Sequence, residues 1–190
     1  MHEKSRNRTI STTNPIPVRI HNLERYWVLL NERYHDAPVA VREKAGATCN
    51  GFLIKVSNKD IKRLDDRECD YQRVKIKTKE ISPLCDSKIP NEEIWGYVFD
   101  DQTTPDMQTP IAQSYIDLLI AGSLTVGREF AIETILSSNG WNVPWVNDRP
   151  IVRPTRDFIS NEEYELIDSL LKTTISNFEC RIELENTPNN

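Results

Sequence analysis

The 190-residue sequence lacks the motifs that mark several common enzyme classes. It contains no Gly-rich loop that could cradle phosphates, no G-x-S-x-G nucleophile elbow and no H-E-x-x-H helix, so nucleotide-binding, serine-hydrolase and zinc-protease functions each lack a required part. Its four cysteines show no C-x-x-C spacing, and its three histidines are widely dispersed. These absences argue against a metal site.

Long apolar runs and clustered positive charge are also missing. No stretch of 18 consecutive apolar residues occurs, and residues 1–13 lack the apolar segment of a secretory signal. The net charge is -5 and the lysines and arginines are scattered, so no basic surface for nucleic acid is indicated. We expect a protein of the reducing cytoplasm with neither a nucleic-acid nor a membrane partner.

The chain divides into a strand-rich front half and a helical second half. Alternation and β-branched or aromatic residues predict strands at residues 17–20, 25–30, 38–42, 51–56, 72–78 and 94–99, with a surface loop at 81–91. Helices are predicted from Ser57, at 111–120 with an end at Gly122, at 128–136, and from Ser160, which pairs with Glu163 in a capping box. This order predicts one α+β domain over residues 1–176, followed by a loose polar tail at 177–190.

Three carboxylates are predicted at the end of the short helix that Ser57 begins. Asp65, Asp66 and Glu68 lie where the helix macrodipole is negative, so their placement works against local stability. Repulsion among them could raise the pKa of one carboxyl, which would then suit proton transfer near neutral pH. The local sequence is also typical of a solvated acidic turn. From these residues alone, the solvated turn is the favoured interpretation.

The segment around Glu68 also carries a longer pattern. It consists of L-D-D-R-E at residues 64–68 and Y-Q-R-V at residues 71–74, after N-G-F-L-I-K-V at residues 50–56. The first two pieces resemble the L-D-x-x-E...Y-x-R-V signature of γ-glutamylcyclotransferases, and the third is similar to that family's N-G-x-L-F-x-V strand. Residues 122–131 and 140–149 resemble a bacterial branch of the family. The order and spacing of these segments identify the chain as a member.

The resemblance implies a small mixed β-barrel or sheet with flanking helices. It also implies an enzyme that releases 5-oxoproline from a γ-glutamyl amine, amino acid or peptide without a metal or cofactor. Glu68 would be the catalytic general acid/base, taking a proton from the substrate's α-amine and giving one to the departing amine. Tyr71, Tyr97 and Tyr115 are the candidate substrate-binding residues, although each could instead be a core aromatic with a satisfied hydroxyl.

The family's Y-G-S-L-type loop, whose backbone N–H groups bind the γ-glutamyl group, has no counterpart in this sequence. Residues 1–9 resemble the stretch that follows the loop. One hypothesis is that the natural protein starts upstream of Met1. Another is a homologue without turnover that binds a small amine or a protein partner and could form a homodimer through an exposed sheet edge. A third interpretation is a plain interaction domain, in which the acidic turn only solvates a helix end.

Overall fold

The computed structural model describes residues 14–29, 36–149 and 159–184. In chain order its strands are β1 (Ile16–Trp27), β2 (Val39–Leu53), β3 (Gln72–Ile76), β4 (Ile81–Pro83), β5 (Ile94–Val98), β6 (Ile111–Ala112), β7 (Ser138–Asn139), β8 (Trp145–Asn147) and β9 (Ile182–Glu183). Its α-helices are α1 (Asn58–Arg67), α2 (Gln113–Leu124), α3 (Arg128–Leu136) and α4 (Asn161–Thr174). The predicted α+β class is confirmed.

Two long antiparallel strands, β1 and β2, replace the four short strands predicted in the front half. Their register shifts between His21 and Leu23, and Asn22 at the shift has a φ of 62°. The side chain of Asn22 accepts a hydrogen bond from the N–H of Gly46 at 3.1 Å. At this shift the single residue Asn22 of β1 lies opposite residues 44–47 of β2, and the irregularity interrupts the alternation of faces, so one continuous strand has the sequence pattern of two.

The remaining strands form a mixed arrangement. Strand β1 also pairs with β4 in antiparallel and with β7 in parallel orientation, β3 pairs antiparallel with β5, and β8 lies between β6 and β9 in a parallel sheet. The mixed-sheet prediction is confirmed, whereas no closed barrel forms within the described residues. The surface loop predicted at 81–91 is wrong at its start, because Ile81 is buried by the pairing of β4 with β1.

Local capping signals place the helices well. The side chain of Ser57 accepts the N–H of Asp60 at the start of α1, and the Ser160–Glu163 capping box opens α4. Helix α3 has the predicted bounds. The predicted end of α2 at Gly122 is wrong: the helix continues to Leu124 with Gly122 buried, because tertiary packing outweighs the low helix propensity of glycine.

In the larger core, α2, α3 and α4 pack against Trp27 at the end of β1. They also pack against Trp141 and Trp145, which lie before β8 and at its start. The fully buried aliphatic side chains of this core are Ile111, Ile116, Ile120, Ile135, Ile167, Leu170 and Leu171. Phe178, in the segment expected to be loose, is buried in this core, and β9 pairs with β8 just after it. No helix in the described ranges is long and apolar enough to cross a membrane.

Candidate active site

Glu68 caps the C-terminus of α1, and its carboxyl is largely enclosed. Its N–H donates to the carbonyl of Leu64 at 2.8 Å, and 23% of its side chain is exposed. Burial raises the pKa of the Glu68 carboxyl, while Arg67, whose Nε lies 3.1 Å from Oε1, lowers it. The raised pKa expected from the sequence is therefore found, but its cause is burial and not repulsion among neighbouring carboxylates.

Tyr97, on β5, is engaged by the acidic end of α1. Its hydroxyl donates to Oδ1 of Asp65 at 2.8 Å, and Asp65 also forms an ion pair with Arg73 at 2.8 Å. Burial and the hydrogen bond to Asp65 raise the pKa of Tyr97 to about 12. The structure thus directs this hydroxyl towards Asp65.

Tyr71 lies three residues after Glu68. Its N–H donates to the carbonyl of Glu68 at 2.8 Å, so the two residues share one turn between α1 and β3. The ring of Tyr71 lies 5.7 Å from that of Phe99 and packs against the small buried cluster that contains Tyr26 and Val28. The ring of Tyr71 therefore packs in the core, while its backbone is part of the turn that contains Glu68.

Tyr115, although distant in sequence, lies within electrostatic range of Glu68. Burial raises the pKa of the Tyr115 hydroxyl, and the negative charge of Glu68 raises it further. The ring packs edge-on against Trp27 at 5.9 Å, yet 38% of the residue is exposed. Because its pKa is raised, this hydroxyl stays protonated at neutral pH.

A buried carboxylate fixes the helix turn that holds Tyr115. Asp148, which is fully buried, accepts the N–H of Ser114 at 2.7 Å and the hydroxyl of Ser114 at 2.6 Å. A carboxylate at a helix N-terminus satisfies free N–H groups and favours the positive end of the macrodipole. The N-D-R sequence at residues 147–149 therefore orients the first turn of α2.

A buried cation beside this region was missed by the sequence reasoning. Arg25, 7% exposed, donates from Nη1 to Asn50 Oδ1 at 3.1 Å, to Thr134 O at 3.3 Å and to Ser137 Oγ at 3.3 Å, and from Nη2 to the carbonyl of Asn50. Among the described residues no carboxylate lies within ion-pair distance of it. Burial lowers the pKa of Arg25, while Tyr115 is among the groups that raise it. The available signal was a pair of charged residues, Glu24 and Arg25, immediately before the apolar run at residues 26–30.

One cleft in the described part of the chain does not have Glu68 among its lining residues. It has a volume of about 1000 Å³, lies between α3 and the sheet, and is lined by residues such as Thr48, Phe130 and Ser137. Two of its charged groups, Arg19 and Glu133, form a two-pronged ion pair at 2.6 and 2.8 Å. We place the candidate site at Glu68 because groups suited to proton transfer meet there, whereas the cleft's Arg19 and Glu133 neutralise each other.

Comparisons with known proteins bear on the family and the fold of the chain. A family model described as "Gamma-glutamyl cyclotransferase, AIG2-like" matches residues 2–116, more than half of the chain. A solved structure titled "Gamma-glutamyl cyclotransferase" is 13% identical, covers 88% of this chain and 92% of its own, and has a TM-score of 0.53. The structure of an uncharacterized protein from Homo sapiens is also 13% identical, with coverages of 86% and 88% and a TM-score of 0.46. No curated protein matches the sequence.

Proposed function

The chain belongs to the AIG2-like gamma-glutamyl cyclotransferase family, and from this premise we propose that it cyclises a γ-glutamyl group to 5-oxoproline and releases an amine, amino acid or peptide. One observation carries the proposal: the carboxyl of Glu68 has a pKa raised by burial and lies within electrostatic range of the protonated hydroxyl of Tyr115. A carboxyl tuned towards neutral pH is suited to exchange protons during the reaction.

The proposed reaction needs one proton carrier. The substrate's α-amino nitrogen attacks its own γ-carbonyl carbon, so a ring C–N bond forms while the bond from that carbon to the departing nitrogen breaks. Glu68 accepts a proton from the attacking nitrogen and returns one to the departing nitrogen, so no water is consumed. Because attack within one molecule has a high effective molarity, the protein mainly has to hold the glutamyl group bent.

The three tyrosines take different parts in this proposal. Tyr115, with its hydroxyl protonated, donates to the γ-carbonyl oxygen as negative charge develops there. Tyr71 forms the wall next to Glu68, and its N–H donates a hydrogen bond to the carbonyl of Glu68. Tyr97 contributes through Asp65, to which its hydroxyl is bonded. We further propose a cytoplasmic setting and a reaction that uses these side chains without a metal or cofactor.

The direct test is 5-oxoproline release by the 190-residue chain from glutathione, γ-glutamyl dipeptides and γ-glutamyl amines. The matched controls are α-glutamyl dipeptides of the same composition, in which the departing amine is not attached to the γ-carbon. We expect release from at least one γ-glutamyl compound and none from the α-linked isomers. A folded chain that releases none from the whole panel would contradict the proposal and favour binding without turnover.

Replacing Arg67 should change the pH dependence of that activity. Arg67 lowers the pKa of Glu68, so Arg67→Gln raises it further, and less Glu68 is ionised at any mildly acidic pH. We therefore expect the acid limb of kcat/KM to move to higher pH, measured over a full pH profile. The control is Arg63→Gln, which removes a cation from the same helix, paired with Asp60 at 3.7 Å, and should leave the limb in place. An unmoved limb in Arg67→Gln would contradict proton transfer by Glu68.

A further inference from the structure

The carboxylate of Asp65, in the last turn of α1, is held by side chains of the antiparallel pair β3 and β5. Nη1 of Arg73 donates to its two oxygens at 3.0 and 2.8 Å, and the hydroxyl of Tyr97 donates to Oδ1 at 2.8 Å. Arg73 and Tyr97 are directly opposite each other in the β3–β5 register, so their side chains leave the same face of this strand pair. The guanidinium carbon of Arg73 also lies 5.0 Å from the ring centre of Trp95, which orients it.

Along the chain, Glu68 lies between Asp65 and the start of β3. Its N–H is bonded to the carbonyl of Leu64, the neighbour of Asp65, and its own carbonyl accepts the N–H of Tyr71. Strand β3 begins one residue later, at Gln72. The backbone of Glu68 is thus held on one side by the last turn of α1 and on the other by the turn that leads into β3, so the direction of its side chain depends on how α1 is docked on β3 and β5.

The stability of α1 gives no reason for an acid at Asp65. The position lies at the negative end of the helix macrodipole, where a carboxylate is unfavourable. Its ion pair with Arg73 is part exposed, with 40% of the Asp65 side chain and 34% of the Arg73 side chain accessible, and such pairs contribute little to global stability. A residue that gains the protein little stability but fixes a geometry is expected to act through that geometry.

We propose that Asp65 is a positioning residue for Glu68, holding the last turn of α1 on Arg73 and Tyr97 so that the Glu68 carboxyl faces the bent substrate. This inference rests on the proposed function, in which Glu68 transfers the protons. Small displacements of a reacting group can cost a large part of the rate, because the bound geometry replaces a search in solution.

The test compares Asp65→Ala, Asp65→Asn and Tyr97→Phe with the control Glu93→Gln. Glu93, the residue before β5, forms an exposed ion pair with Lys75 on β3. We expect Asp65→Ala to lower kcat by up to about 10²-fold with KM and the urea midpoint near wild type. Asp65→Asn, which still accepts the Tyr97 hydroxyl, should recover part of the loss, and Tyr97→Phe should show a smaller loss of kcat.

A second readout does not depend on turnover. Amide hydrogen exchange at Glu68 and Tyr71 should accelerate in Asp65→Ala and stay unchanged in the Glu93→Gln control. Unchanged exchange, or faster exchange with wild-type kcat, would overturn the positioning role alone. A wild-type chain that releases no 5-oxoproline would overturn the proposed function and this inference with it, so the two failures are distinguishable.

Discussion

Replacing Glu68 with Gln should lower kcat for 5-oxoproline release by about 10²- to 10⁴-fold, the range that a general acid–base residue contributes. Gln keeps the size of the side chain and can still accept a hydrogen bond, but it cannot carry the proton from the attacking to the departing nitrogen. We expect KM to change little, since the loss falls on proton transfer in the transition state. The measurement is steady-state release from the best γ-glutamyl substrate of the panel.

The matched control is Asp66→Asn, which removes a neighbouring carboxylate whose residue is exposed on the same turn. It should keep wild-type kcat, because an exposed carboxylate on this turn has no part in the proposed proton transfer. Equal losses in the two variants would mean that the acidic turn acts as a whole, and wild-type activity in Glu68→Gln would remove Glu68 from the mechanism.

Glu68→Gln should also change the pH dependence of the free energy of unfolding. Burial raises the folded-state pKa of Glu68, so the folded state binds this proton more tightly than the unfolded chain does. Its contribution to stability is present at low pH and is lost as the pH rises from the unfolded pKa through the folded one. At pH 7 the ionised carboxyl therefore costs stability that Gln does not. We expect urea unfolding of Glu68→Gln at pH 7 to match or exceed wild type, with the difference vanishing in acid.

Signals confined to a few neighbouring residues were enough to predict part of this structure. The helix starts at Ser57 and Ser160 follow from side-chain acceptors placed two or three residues before free N–H groups. The family is likewise recognisable from the order and spacing of short motifs around Glu68. The family model matched to residues 2–116 confirms it. Such features are local, so they can be predicted without knowledge of the fold.

Features created by long-range pairing could not be predicted in the same way. Strand β4 exists because β1 accepts it as a partner, and its three residues carry no periodic pattern of their own. The link from Tyr97 to Asp65 depends on the β3–β5 register, and the burial of Arg25 depends on Asn50 and α3. The sequence identified the acidic turn. Only the structure shows that the carboxyl of Glu68 is largely buried, whereas the carboxylate of Asp65 is bound by Arg73 and Tyr97.

A buried ion-pair network joins the N-D-R segment to α2 and α4. Arg149 donates from Nε and Nη2 to the two oxygens of Asp117 at 2.8 and 2.6 Å, and from Nη1 to Asp168 at 2.9 Å. The side chain of Asp117 is 1% exposed and that of Arg149 is 13% exposed. Burial raises the pKa of Asp117, and Arg149 opposes that rise. Arg149 is therefore what keeps a charged Asp117 tolerable in the core.

Arg149→Met should lower the free energy of unfolding by about 3–5 kcal/mol, the usual cost of leaving a buried charge without its partner. Lys172→Met is the control, since its ion pair with Glu179 is 66% and 65% exposed and such pairs contribute about 0–1 kcal/mol. Urea unfolding at several pH values measures both. Without Arg149 the pKa of Asp117 rises further, so folded Arg149→Met takes up the Asp117 proton at a higher pH than folded wild type does, and its deficit should narrow as the pH falls. A deficit under about 1 kcal/mol, or one that is constant with pH, would contradict the role of Arg149 as the counter-charge of Asp117.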